Sequence, residues 1–146
     1  MHTYQHQVQY YETDKMQITH HSNYIRFMEE ARIDFLNKIG FGYDKMEELG
    51  VSSPVIGIQC DYKKSTTFPD LINIETKVSA YKGTRLEIEY TMKVNNDIVA
   101  IGKSLHCFLN QNGRPIILKR ALPELDQLLV QLLNEDTSNV EGTLSN

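Results

Sequence analysis

The stretch SNYIRFMEEARIDFLNKIG, residues 22–40, decides how the rest of the chain is read. Tyr24, Phe27, Met28, Ala31, Phe35 and Ile39 recur at helical spacing, while Arg26, Glu29, Glu30, Arg32 and Asp34 make the other face partly polar. Ser22 or Asn23 supplies a side-chain oxygen suited to cap this helix. Gly40 and Gly42 end it, because glycine takes the left-handed conformation that closes a helix C-terminus. Upstream, His6, Val8 and Tyr10 alternate with Gln5, Gln7 and Gln9, so Tyr4 to Tyr11 reads as a half-buried strand. Downstream, a short helical turn over Tyr43 to Leu49 stops at Gly50, and period two returns. Ile56, Ile58, Cys60 and Tyr62 mark one strand. Three more follow: Ile72, Ile74, Val78 and Ala80; then Leu86, Ile88, Tyr90, Met92 and Val94; then Ala100, Gly102, Ser104, His106 and Phe108. Turns at Lys82-Gly83 and Asn95-Asn96-Asp97 are short enough to make these three an antiparallel meander. Pro123 suits the first turn of a terminal helix, whose apolar stripe is Leu125, Leu128, Leu129, Leu132 and Leu133. Strand, helix, four strands, helix is the order of an α+β domain with its helices on one face of an antiparallel sheet. The expected domain spans residues 1–133. The tail, residues 134–146, has little to bury and is expected to be disordered.

Composition removes several functions. The 146 residues are 40% hydrophobic and 23% charged, as in one soluble globular domain long enough to bury a core without a disulfide or metal staple. A net charge of −4 argues against a nucleic-acid-binding surface spread over the molecule. No apolar run has membrane-spanning length, and the polar start from Met1 to His6 lacks a signal peptide's apolar segment, so a cytoplasmic protein with no membrane partner is expected. Cys60 and Cys107 lie inside apolar stretches and read as buried free thiols. No Gly-rich phosphate loop, Gly-x-Ser-x-Gly elbow, His-Glu-x-x-His or Cys-x-x-Cys occurs. His106 and Cys107 are adjacent on a strand and point to opposite faces, so they cannot act as base and nucleophile together. Asp14, His20 and His21 match no standard zinc spacing.

What remains is the loop Tyr10-Tyr11-Glu12-Thr13-Asp14, followed by His20-His21-Ser22-Asn23-Tyr24 and Glu29-Glu30-Ala31-Arg32. Here the sequence resembles the acyl-CoA thioesterases of the hot-dog fold, in the branch that includes 4-hydroxybenzoyl-CoA thioesterase. That branch has an aspartate seven residues before a frequent histidine and ten before a tyrosine that opens the central helix, then an acid and an arginine; Asp14, His21, Tyr24, Glu29 and Arg32 fall on it. Ala100 to His106 and Gly113-Arg114-Pro115 extend the resemblance, which covers about Tyr4 to Leu122. One position departs. Where many relatives carry glycine three residues after the aspartate, this chain has Gln17.

The resemblance implies a long helix wrapped by a five-stranded antiparallel sheet, and an obligate homodimer, often a homotetramer, with active sites at the subunit boundary. It implies an acyl-CoA or aryl-CoA substrate and no cofactor or metal beyond the CoA moiety that the substrate carries. Thioester hydrolysis needs a nucleophile or an activated water, and a group that stabilises the oxyanion. By resemblance Asp14 is the catalytic acid, and the backbone N–H near His21, at a helix N-terminus, polarises the carbonyl. Tyr24 would border the substrate. Lys82 and Arg85 at the Gly83 turn, with Lys119 and Arg120 after the last strand, are candidates for the CoA phosphates. Glu29 and Arg32, three apart on the helix, read as an intrahelical ion pair. Two other readings share the fold: a non-catalytic acyl-CoA binding module, and an enoyl-thioester hydratase or dehydratase, whose usual His-Phe-Pro-Gly-like run is missing.

Overall fold

The computed structural model describes the backbone of residues 1–144 and the side chains of residues 1–137. Its elements are β1 (His2–Gln7), α1 (Ser22–Lys38), α2 (Tyr43–Glu48), β2 (Val55–Tyr62), β3 (Leu71–Tyr81), β4 (Arg85–Val94), β5 (Asp97–Cys107), α3 (Leu118–Ala121) and α4 (Pro123–Leu144). The five strands form one antiparallel sheet in the order β1-β3-β4-β5-β2. Asn95 and Asn96 both take positive φ, +49° and +70°, which lets a two-residue turn follow the twist of β4 and β5.

Helix α1 lies across the sheet. Tyr24, Phe27, Met28, Ala31 and Phe35 join Ile72, Ile74, Val78, Ile88, Tyr90, Met92 and Ala100 in one buried cluster. Each fully buried large side chain in it contributes about 1.5–3 kcal/mol. At β5 the approach is close enough that a Cβ on Gly102 would collide with the Met28 sulfur. This is the hot-dog arrangement, a long helix wrapped by a five-stranded sheet.

Several boundaries differ from the sequence expectation, each for a local reason. The first strand ends at Gln7, not Tyr11, because Tyr10–Glu12 curls into a 3-10 turn. The Glu12 carboxylate drives that curl by accepting the Gln9 backbone N–H at 2.7 Å and meeting His6 Nε2 at 2.8 Å. Tyr10 is thereby turned outward, 77% exposed. Neither Ser22 nor Asn23 caps α1: His21 occupies the cap position without a side-chain bond, and Asn23 is spent on another contact. In β3 a bulge between Val78 and Ala80 shifts the inward position from Ala80 to Tyr81. The two cysteines are half-buried rather than buried.

The C-terminal helix does not stop at Leu133 but continues to Leu144; residues 145–146 lie outside the described residues. Asp136, 5% exposed, accepts the Val78 backbone N–H at 3.0 Å. Because β1 pairs no further along β3 than His2 with Thr76, this carboxylate satisfies a strand N–H that the edge would leave unpaired. An acidic residue in a polar-looking tail therefore docks the helix.

β2 is the edge strand at the other side of the sheet. Val55, Ile56, Ile58 and Tyr62 are all between 40% and 48% exposed. Among the described residues, no helix is long and apolar enough to cross a membrane.

Candidate active site

Asp14 sits at the head of a tight turn between the 3-10 turn and α1. Its backbone N–H donates to Ile18 O, its own carbonyl accepts the Gln17 N–H, both at 2.9 Å, and its Oδ1 accepts the Met16 N–H at 2.8 Å. One carboxylate oxygen thus closes an Asx turn. The other, Oδ2, takes no hydrogen bond from the described residues. Gln17 has φ +64°, the left-handed region that glycine adopts at little cost. The turn is therefore formed in spite of the glutamine, at a backbone cost of about 1–2 kcal/mol.

The turn is anchored on three sides. The Glu12 carbonyl accepts both the His20 N–H at 2.8 Å and Asn23 Nδ2 at 2.9 Å, joining the entry of the loop to the first turn of α1. Thr19 bonds Thr66 through its backbone at 2.8 Å and through its hydroxyl at 2.6 Å, and Tyr24 Oη reaches the same Thr66 hydroxyl at 2.9 Å. Thr67 Oγ1 donates to Gln17 O at 2.6 Å.

The N–H groups expected to stabilise an oxyanion are mostly spoken for. Ser22 N donates to His20 Nδ1, Asn23 N to His20 O and Tyr24 N to His21 O. The His21 N–H is the one with no acceptor among the described residues. Tyr62 Oη donates to the His21 carbonyl at 3.1 Å, which fixes that peptide.

Asp14, His21 and Tyr24 together border a shallow cleft of about 270 Å³. Tyr62, Lys63 and Lys64, which the sequence reading did not single out, complete it. The Lys63 and Lys64 N–H groups both donate to Val99 O, turning the chain out of β2 toward the Asp14 loop. A basic pair directly after a strand was the available signal. Burial pushes the Tyr24 and Tyr62 hydroxyls above the usual tyrosine range, so both stay protonated as donors. Burial also pushes the Cys60 thiol up, away from a reactive thiolate. The Tyr24 side chain is itself 3% exposed, so it backs the cleft more than it faces solvent.

The four basic candidates form one cluster: Leu118 N donates to Gly83 O at 2.9 Å, bringing Lys119 and Arg120 beside Lys82 and Arg85, all exposed. That cluster lies at the far end of β3 from the Asp14 loop, an 11-residue strand or roughly 33 Å. It does not share the Asp14 cleft. Glu29 and Arg32 pair along α1, with Nε to Oε2 at 3.1 Å and Nη2 to Oε1 at 2.7 Å. His106 is wholly buried, its Nε2 at 2.7 Å from Ser104 Oγ, which in turn lies 2.7 Å from Tyr90 Oη. Burial, reinforced by the Arg32 charge, holds its pKa down at about 4, so this histidine is neutral at physiological pH and belongs to the core.

A long helix wrapped by a five-stranded antiparallel sheet, with Asp14, His21 and Tyr24 on one cleft, is the architecture of the hot-dog thioesterases. The sequence profile of the Thioesterase-like superfamily matches residues 8–134. A putative esterase from Aquifex aeolicus is 32% identical over 122 residues, covering 84% of this chain and 94% of that one. The putative acyl-CoA thioesterase YneP of Bacillus subtilis is 32% identical over 120 residues, 81% of this chain and 87% of its own. The structure of a DHNA-CoA thioesterase from Staphylococcus aureus superimposes with a TM-score of 0.85 at 31% identity, over 92% of this chain and 93% of that chain. The chain belongs to the Thioesterase-like superfamily.

Proposed function

We propose that this protein hydrolyses acyl-CoA thioesters in the cytoplasm, with Asp14 as the reacting carboxylate and the His21 N–H as the oxyanion donor. Asp14 either attacks the carbonyl carbon itself or takes the proton of the water that does. In both routes the carbonyl oxygen gains negative charge beside His21 N and the C–S bond breaks, the CoA thiolate taking up a proton to leave as the thiol; the water route gives the free acid directly, whereas attack by Asp14 gives a mixed anhydride that water then cleaves to the free acid and the restored carboxylate. The observation that carries this reading is the meeting, in one cleft, of a carboxylate oxygen with no protein partner and a helix-terminal N–H with no acceptor. The relatives' names agree with it, since YneP is called a putative acyl-CoA thioesterase. Lys63 and Lys64 would offset the charge that develops there.

The active assembly in this reading is a homodimer, built across the exposed apolar edge of β2. An isologous antiparallel pairing of β2 with its copy brings the Val55 end of one strand beside the Tyr62 end of the other. Val55 pairs with His106, and Arg85 pairs with Cys107, so Arg85 and its basic neighbours sit at the Val55 end of the sheet. The pairing therefore sets the Lys82, Arg85, Lys119 and Arg120 cluster of one subunit at the same end as the partner's Asp14, where the CoA phosphates of the partner's substrate would lie.

Thiol release from a panel of acyl- and aryl-CoA esters tests the reading. Turnover that disappears in Asp14→Asn supports it; a binding module without catalysis would leave thiol release at background for every ester.

A further inference from the structure

A second, larger space than the Asp14 cleft lies away from it. A cavity of about 440 Å³ lies between the C-terminal half of α1, α2, β4 and α4, walled by Leu36, Met46, Val51, Ile88, Phe108 and Leu129. Apart from Leu36, each of these walls is buried, so the depth of the cavity reaches into the core. Protein interiors leave few voids larger than a water molecule, and an empty apolar cavity destabilises in proportion to its volume. Its size lies within the range of small-molecule sites, and an apolar ligand would replace the missing packing.

The rim has a different character from the walls. The Glu29–Arg32 pair borders it, and Arg32 Nη1 also donates to Ser53 O at 3.3 Å, tying α1 to the segment that enters β2. Ser53 and Pro54 line the same rim and directly precede Val55. They therefore mark the end of β2 that the proposed subunit pairing lays beside the partner's Asp14 cleft. Ile33 and Tyr43, 45% and 72% exposed, border the mouth where a ligand would enter.

We infer that this cavity holds the acyl chain of the substrate whose thioester is hydrolysed at the partner's Asp14, and that its volume sets the acyl length, so that the preferred substrates carry a medium-length acyl group. The inference rests on the thioesterase reading above. With a methylene about as large as a water molecule, at about 30 Å³ each, the space takes at most roughly fourteen carbons. The depth of the space is lined by apolar side chains, while Tyr43, Ser52, Ser53 and the Glu29–Arg32 pair also border it and can face the polar end of the chain.

Filling the cavity tests this. Met46→Trp places bulk in its depth, and Ile33→Trp narrows its mouth from an exposed position that folding tolerates. The quantity read is the ratio of kcat/KM for decanoyl-CoA to that for acetyl-CoA. A fall of tenfold or more in this ratio for Ile33→Trp, or for Met46→Trp with an unchanged circular dichroism spectrum, is expected; a smaller fall in Ile33→Trp overturns the inference. Co-expression then tests which subunit supplies the chain pocket. In a statistical mixture of Asp14→Asn and Met46→Trp chains, half of the dimers are mixed, and one of their two sites combines an intact Asp14 with an intact cavity from the other chain. About a quarter of wild-type decanoyl-CoA turnover should return. No gain over the Met46→Trp protein alone overturns the assignment to the partner. If wild-type protein hydrolyses no acyl-CoA of any length, the thioesterase reading fails instead.

Discussion

Asn23 Nδ2 donates to the Glu12 carbonyl at 2.9 Å, from the first turn of α1 back to the residue two before Asp14. That bond, shared with the His20 N–H on the same oxygen, holds the Asp14 turn against the helix end where the His21 N–H has no acceptor among the described residues. Loop and helix are one unit. In the proposed reaction the Asp14 carboxylate and the His21 N–H come from segments that would otherwise move independently, and pre-organised groups of this kind supply most of the stabilisation in acyl transfer.

Asp14→Asn keeps the shape of the side chain and its bond to the Met16 N–H while removing basicity. Loss of an essential base or nucleophile costs at least about 10²-fold in rate. We expect a fall in kcat of that size, with a thermal midpoint close to wild type; retention of half the wild-type kcat would remove Asp14 from the mechanism.

Gln17→Gly relieves the left-handed backbone at φ +64°. The relief of about 1–2 kcal/mol is partly offset by glycine's greater freedom when unfolded, about 0.5–1 kcal/mol. A net gain of about 0.5–1 kcal/mol follows, or a rise in Tm of about 2–4 °C measured by calorimetry.

His106 makes stability depend on pH. Its folded pKa, about 4, lies below the ordinary 6.5, so between those values the unfolded chain binds a proton that the native state does not. Stability is complete above pH 6.5 and falls as the pH drops toward 4, by about 3 kcal/mol in full. Urea unfolding at pH 7, 5.5 and 4.5 should show a shallower decline in His106→Gln than in wild type; parallel curves would contradict this.

The exposed apolar edge of β2 predicts association. Light scattering should give a multiple of the 16.9 kDa chain mass at micromolar concentration. Ile58→Lys places a charge on that edge and should shift the protein toward monomer, with loss of turnover. A wild-type monomer that hydrolyses acyl-CoA would refute the subunit-boundary site.

Neither cysteine should matter for chemistry. Cys60 and Cys107 lie on β2 and β5, and burial raises the Cys60 thiol. The Cys60→Ser, Cys107→Ser protein should turn over within about twofold of wild type; a catalytic thiolate would lose far more.

How much was legible in advance follows from the range of the forces involved. The inward faces of β4 and β5 were read correctly from Leu86 to Met92 and from Ala100 to Phe108, because alternation is a local property of an extended chain. The buried face of α1 was legible from its helical period, and the family resemblance carried by Asp14, His21 and Tyr24 led to one cleft that contains all three. The bulge that replaces Ala80 by Tyr81 was not legible, since it depends on the partner strand. Nor was the docking of α4 through Asp136, which depends on a backbone N–H left unpaired 58 residues away.

The sequence by itself thus determined the order of the main elements and the inward faces of β4, β5 and α1, and its resemblance to a known family marked the Asp14 loop. The faces follow from periodicity along a few turns of chain. Tertiary structure alone decided that one helix-end N–H remains free, that Lys63 and Lys64 join the cleft, that the four basic residues gather away from it, and that an apolar cavity opens between α1, α2, β4 and α4. Those features arise where segments distant in sequence meet, and the packing of one side chain against another is set by the whole fold rather than by its neighbours along the chain.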